Sequence, residues 1–292
     1  MVKKILKSLG VVLLLLLVYA AVQSVLSIAG IVLSLLYCTS SGLLEGNILD
    51  LMQQKISSFP AEAQAVYATG MAIALFLSTI VMLVLIHASG LYRIKPFSKP
   101  SIGAKPLLYS TVLVFVSIFA LNIVAAWMNL ADNMEQEFNL LSRDIVGALT
   151  ISVFAPILEE VMFRGAIQGY IMRKTGKPWL SILLASLVFG IFHMNPVQIA
   201  YASMLGVVLG WIYYRTGSLL SVIVGHVLNN SMATIVMLTL SDVDVSAAQS
   251  VSSEIFSFVF FALLSLFFAW KLNRSLPPAG KRDACVDLET VN

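Results

Sequence analysis

Long apolar runs, broken by short polar segments, fill almost the whole chain. Stretches of about 20 apolar residues, the length a helix needs to cross hydrocarbon, fall at roughly 9–36, 66–91, 107–130, 145–172, 179–195, 198–214, 218–240 and 255–270. None alternates apolar and polar residues with the period of two that a half-buried strand requires. The pattern predicts an all-α polytopic transmembrane helical bundle of about eight spans. The shorter runs can cross only with little tilt, or lie among neighbouring helices. Composition agrees: 59% of the residues are hydrophobic, 11% are charged and the mean hydropathy is +0.92. A water-soluble domain carries about 25% charged residues, so that class is excluded.

The net charge of +3 says little until it is sorted by loop. Lys3, Lys4 and Lys7 precede the first run, and Arg93, Lys95, Lys99 and Lys105 follow the second. Arg173, Lys174 and Lys177 follow the fourth, Arg215 the sixth, and Lys271, Arg274, Lys281 and Arg282 the eighth. Fifteen of the eighteen basic residues thus share one side. The other side receives Lys55 and Arg143 beside ten acids, among them Asp132, Asp144, Asp242, Asp244 and Glu254. The positive-inside rule then places both termini in the cytoplasm and the chain in the cell membrane as a multi-pass protein. The first run is too long for the core of a cleaved signal peptide. Cys38 and Cys285 fall on opposite sides in this topology, so no disulfide is expected.

Three regions follow along the chain. Residues 1–140 carry nearly featureless apolar helices, expected to govern access to the middle region, and the lone His87 near a boundary reads as packing. Residues 141–240 concentrate the intramembrane polar chemistry. Residues 241–292 hold the last span and a short polar tail. There is no 20–50-residue repeat and no glycine-rich phosphate loop. Nor is there a basic patch interleaved with aromatics, so nucleic acid is excluded as a partner. Membrane lipid remains as the partner that the composition implies.

The middle region raises one question: why keep charge in hydrocarbon, at about 2.5–3.5 kcal/mol per group on insertion scales? Three elements carry it: Glu159-Glu160-Val-Met-Phe-Arg164, Phe189-Gly-Ile-Phe-His193 and His226-Val-Leu-Asn229-Asn230. On helices, Glu160 and Arg164 share a face, as do Phe189 with His193 and His226 with Asn230. Counting about 1.5 Å per residue puts a carboxylate, two imidazoles and an amide roughly 13–20 Å from the cytoplasmic surface. Arg164 neutralises Glu160, which leaves Glu159, turned about 100° away on the helix, as a candidate general base. A buried structural ion pair is the plain alternative for Glu160 and Arg164 alone.

Taken together, the three motifs resemble the CAAX-protease and bacteriocin-processing (CPBP, or Abi) family of intramembrane proteases, over about residues 145–235. The resemblance implies a helical bundle with a cavity open toward the cytoplasmic side and lipid, and a peptide or membrane-protein substrate. It implies that Glu159 and His193 activate a water, that His226 and Asn230 stabilise the oxyanion, and that Glu160 and Arg164 support Glu159. Family usage calls these enzymes metalloproteases. Glu159, His193 and His226 could supply a zinc set, but Glu160 would then have to be the base, against its pairing with Arg164. A glutamate-dependent mechanism with no obligatory metal is therefore expected, with zinc as the alternative. Two other functions compete. One is a non-catalytic membrane binding protein, such as a bacteriocin immunity protein, whose mark would be eroded motifs. The other is a proton-coupled transporter, which predicts broken helices in two related halves.

Overall fold

The computed structural model describes residues 2–90, 102–240 and 250–276. Most of the basic loop after the second run, Asp242 and Asp244, and the tail from Pro277 with Cys285 lie outside the described residues. Among the described residues every regular element is helical. The helices are α1 (Val2–Ser40), α2 (Ala61–Ala88), α3 (Ala104–Met128), α4 (Glu135–Arg143), α5 (Ile145–Thr175), α6 (Pro178–Phe192), α7 (Pro196–Thr216), α8 (Leu219–Leu240) and α9 (Val251–Arg274). Seven are long and apolar enough to cross a membrane, which establishes a multi-pass membrane protein. The eighth apolar run, α6, has only 15 residues, about 22 Å at 1.5 Å per residue.

The chain folds into two compact units. The first gathers residues 1–93, 134–159 and 230–243. In it α1 and α2 approach closely: a β-carbon on Gly30 would lie 2.8 Å from the Gly70 carbonyl oxygen. Small residues at the contact are how helices draw together in lipid, where no hydrophobic force separates helix from solvent. At one end Leu35, Cys38, Leu51, Phe59 and Ala63 form a buried cluster. α4 leads into α5 through Asp144, whose Oδ1 accepts from the Gly147 N–H (2.9 Å) and whose Oδ2 accepts from Thr69 of α2 (2.8 Å). The carboxylate therefore caps α5 and ties it to α2 at once.

The second unit gathers residues 94–133, 160–229 and 244–292. α3 packs on α9 through the stacked rings of Phe119 and Phe261 (4.8 Å) and a Ser117–Ser265 hydrogen bond (3.2 Å). α6 and α7 form a tight antiparallel hairpin. The sequence Gly206-Val-Val-Leu-Gly210 lets other helices press against α7. A β-carbon at Gly206 would meet Ser186 of α6 at 2.9 Å, and one at Gly210 would meet Gln168 of α5 at 2.9 Å. Charge sorts by end in this unit. Lys105, Arg173, Lys174, Arg215, Lys271 and Arg274 stand at helix ends on one side, with Arg215 bonded to the Asn273 carbonyl (3.4 Å). Trp127, Asp132 and Glu254 stand at the other, where the Trp127 indole donates to Glu254 (2.9 Å).

Candidate active site

α5 is not a uniform α-helix. It alternates α-turns with two π-helical stretches, Thr150–Phe154 and Glu160–Gln168. A π turn adds a residue per turn and is found mostly at functional sites. Pro156 contributes to the first of them. In an i→i+5 pattern the Ile151 carbonyl would accept from residue 156, and proline has no N–H. A carbonyl orphaned in the membrane must find another donor. Asn230 of α8 provides it: its Nδ2 donates to the Ile151 oxygen at 2.9 Å. Thr234, one turn on, bonds Ser152 (2.9 Å) and the Asn230 carbonyl (2.9 Å). In the first unit, then, Asn230 commits an amide proton to the backbone. Glu159, half-buried, lies in the same unit, and the buried phenol of Tyr19 on α1 is close enough to feel its charge.

The second π stretch carries Glu160, Arg164 and Gln168, all essentially inaccessible. Arg164 Nη1 donates to Glu160 Oε1 at 2.9 Å, and Nη2 reaches toward the Gly206 carbonyl at 3.5 Å. Gln168 donates to the Gly210 carbonyl at 2.9 Å. Two polar side chains four residues apart on α5 thus dock on two carbonyls four residues apart on α7, beside the two glycines. His226 of α8 adds a third partner: its Nδ1 lies 2.7 Å from the same Glu160 Oε1. The sequence pairs Glu160 with Arg164 and casts it as support for Glu159; the structure shows the pair and adds His226 to it. Removing one member of so buried a pair costs about 3–5 kcal/mol.

Phe189 is the hub of this cluster. The Arg164 guanidinium lies 4.5 Å from its ring centroid, a desolvated cation–π contact. The edges of His193 and His226 pack against it at 4.9 and 5.6 Å between centroids. The first residue of the Phe-x-x-x-His spacing therefore aligns both imidazoles and the guanidinium. His193 closes α6, and its ring folds back over the last turn, with Nδ1 2.9 Å from the Phe189 carbonyl. A carbonyl only accepts, so Nδ1 carries the proton and Nε2 presents its lone pair. Beside a carboxylate shared with Arg164, His226 Nδ1 is likewise a donor, and its Nε2 faces away from Glu160.

The expected site residues thus divide. Glu160, Arg164, His193 and His226 come together in the second unit, and Glu159 and Asn230 stand in the first. Among the described residues no three His, Cys, Asp or Glu side chains gather as a metal-holding group. Glu159 belongs to the first unit and His193 and His226 to the second, and zinc is given no role in the chemistry derived from these residues. Sequence reading missed Gln168, Tyr201 and Asn229. Tyr201 of α7 donates to Asn229 Oδ1 at 2.6 Å and so steadies α8 between His226 and Asn230. Asn229 was legible as the unassigned member of the Asn229–Asn230 pair.

Residues 141–232 match the family model described as type II CAAX prenyl endopeptidase Rce1-like. The matched segment contains all three motifs and is the part of the chain from which the resemblance was read. A protein of Bacillus subtilis (strain 168) named "Putative membrane peptidase YdiL" is 24% identical over 188 residues, spanning 61% of this chain and 76% of that protein. No solved structure matches the chain. The Rce1-like match supports an intramembrane protease of the CAAX type in general.

Proposed function

We propose that the chain is an intramembrane endopeptidase that hydrolyses peptide bonds of membrane-associated substrates in the cytoplasmic half of the bilayer. One observation carries the reading: Glu160 Oε1 serves both Arg164 and His226 within inaccessible apolar helices. A structural ion pair would need only the arginine. The third partner is a titratable imidazole, held to the carboxylate through Nδ1. Arg164 lies 11 residues before the end of α5, about 16 Å, and His226 seven residues into α8, about 10 Å, from the helix ends that carry the basic residues. That depth supports cleavage on the basic-end side.

In this reading Glu159 takes a proton from water as the water oxygen adds to the scissile carbonyl, and His193 Nε2 accepts a hydrogen bond that orients that water. The carbonyl oxygen becomes an oxyanion and is stabilised by His226 and Asn230 as hydrogen-bond donors. The C–N bond then breaks, and Glu159 returns its proton to the departing amine. With Nδ1–H on Glu160, the donor role requires a proton on each ring nitrogen of His226.

The test compares the membrane proteome of cells carrying wild-type protein with that of cells carrying Glu159→Ala. Precursors should accumulate and their cleaved products vanish in the variant. Identical proteomes would leave a binding role in place of catalysis. Purified protein should also cleave a quenched farnesylated CAAX peptide after chelation. Loss of that activity on chelation, with recovery on adding Zn²⁺, would replace the metal-free mechanism.

A further inference from the structure

Two residues beyond His193 lies a buried amide that the reaction does not use. Asn195 is 0% exposed and sits in the turn between α6 and α7. Its Nδ2 donates to Asp132 Oδ1 at 2.9 Å, across 63 residues of chain. Its Oδ1 accepts from the Asn133 backbone N–H at 3.1 Å. The Val197 N–H adds a bond to the Ala131 carbonyl at 3.3 Å. Three hydrogen bonds therefore pin this turn to the segment that follows α3, all within the second unit.

The direction of the Asn195 side chain is informative. Asn195 is the N-cap of α7, where an asparagine ordinarily closes its own helix, yet it makes no capping bond there. Both ends of the amide go to residues 132 and 133 instead. Between it and His193 stands Met194, with φ at +51°, a left-handed conformation that a β-carbon disfavours. A non-glycine residue stays there only where its surroundings hold it, and the pinned turn does so. This turn decides where α6 stops. His193 is the C-cap of α6, its N–H bonded to the Gly190 and Ile191 carbonyls and its ring to the Phe189 carbonyl.

We propose that Asn195, clamped by Asp132, is a positioning residue that holds the His193 imidazole with Nδ1–H on the Phe189 carbonyl and Nε2 presented to the reacting water. Its catalytic meaning rests on the endopeptidase reading above; the clamp itself does not.

Substitution by exchange tests it. Asn195→Asp sets a carboxylate against Asp132 and breaks the clamp. Asp132→Asn alone keeps an acceptor and should be nearly silent. The double substitution Asn195→Asp/Asp132→Asn restores the clamp with donor and acceptor reversed, and the Asn133 N–H keeps its partner. On the quenched farnesylated peptide, Asn195→Asp should lower kcat about 10²-fold, the size expected of a small misplacement, at unchanged KM, and the double variant should recover it. In a His193→Ala background, Asn195→Asp should lower the residual rate no further. Ring-¹⁵N spectra of the protein in nanodiscs supply a readout independent of turnover. The His193 signal, assigned by its loss in His193→Gln, should report one tautomer in wild type, a mixture in Asn195→Asp, and one again in the double variant. If Asn195→Asp fails to fold, Asp132→Ala, which changes an exposed side chain, must give the same signature. An unchanged His193 signal in a folded clamp variant, or an equal rate loss without His193, overturns the proposal. If wild type cleaves nothing, the endopeptidase reading falls, and the spectra still decide the clamp.

Discussion

Asn230 carries two burdens on one amide. It satisfies the carbonyl that Pro156 orphans, and it is assigned a donor role toward the oxyanion. The two can be separated. Asn230→Ala should lose stability by about 1–3 kcal/mol, the cost of leaving a buried acceptor unsatisfied. Adding Pro156→Ala restores an N–H to the helix and should return most of that stability, while activity stays reduced by about 10²–10³-fold in kcat, as for a lost oxyanion donor. Thermal melts and peptide turnover on the two variants check this; activity that returns with stability would leave Asn230 a purely structural role. At this scale the sequence was generous. Charge is so costly in lipid that Glu159, Glu160 and Arg164 announce themselves. The link between Glu160 and His226 spans 66 residues, and no spacing rule reaches that far.

At the scale of elements, long spans were legible because hydrocarbon demands contiguous apolar residues and tolerates few exceptions. The π stretches of α5 were not legible: five or nine residues are too few to separate a wider turn from an α-turn by pattern, although Pro156 marked the place. The Gly206–Gly210 pair stood in plain view but reads as helix-packing only when its partners are known. Those partners sharpen a prediction. At Gly206 an added β-carbon would lie 3.1 Å from the Ser186 backbone and 2.9 Å from its β-carbon, neither of which can swing aside. Gly206→Val should therefore separate α6 from α7 and destabilise by about 1–3 kcal/mol, the usual cost of overpacking. At Gly210 the nearest atom is the end of the Gln168 side chain, which can turn away. Gly210→Ala should cost less. Melting curves that rank the two in the opposite order would refute this account of the hairpin.

For the whole molecule, the separation of basic from acidic helix ends in the second unit repeats the one-sided count of basic residues along the chain. Its orientation is open to direct measurement. Cys38 is buried, 1% exposed, so the native thiol is a poor reporter of the outer face. Ser41→Cys and Lys177→Cys place thiols at exposed positions on opposite sides of the expected topology. An impermeant thiol reagent on sealed cells should label the first and spare the second; the reverse pattern would invert the protein in the membrane. The interleaving of three chain segments in each unit had no linear signal, because contacts between distant segments leave no mark on composition. One feature of the hairpin reaches into the lipid itself. Trp179, Leu183, Leu187 and Ile191 form an exposed apolar stripe along α6. That stripe is about 18 Å long at 1.5 Å per residue, against a hydrocarbon layer of about 30 Å. Acyl chains beside it would have to shorten or splay to match, so the α6 face would thin the bilayer locally where the longer spans leave it at full thickness.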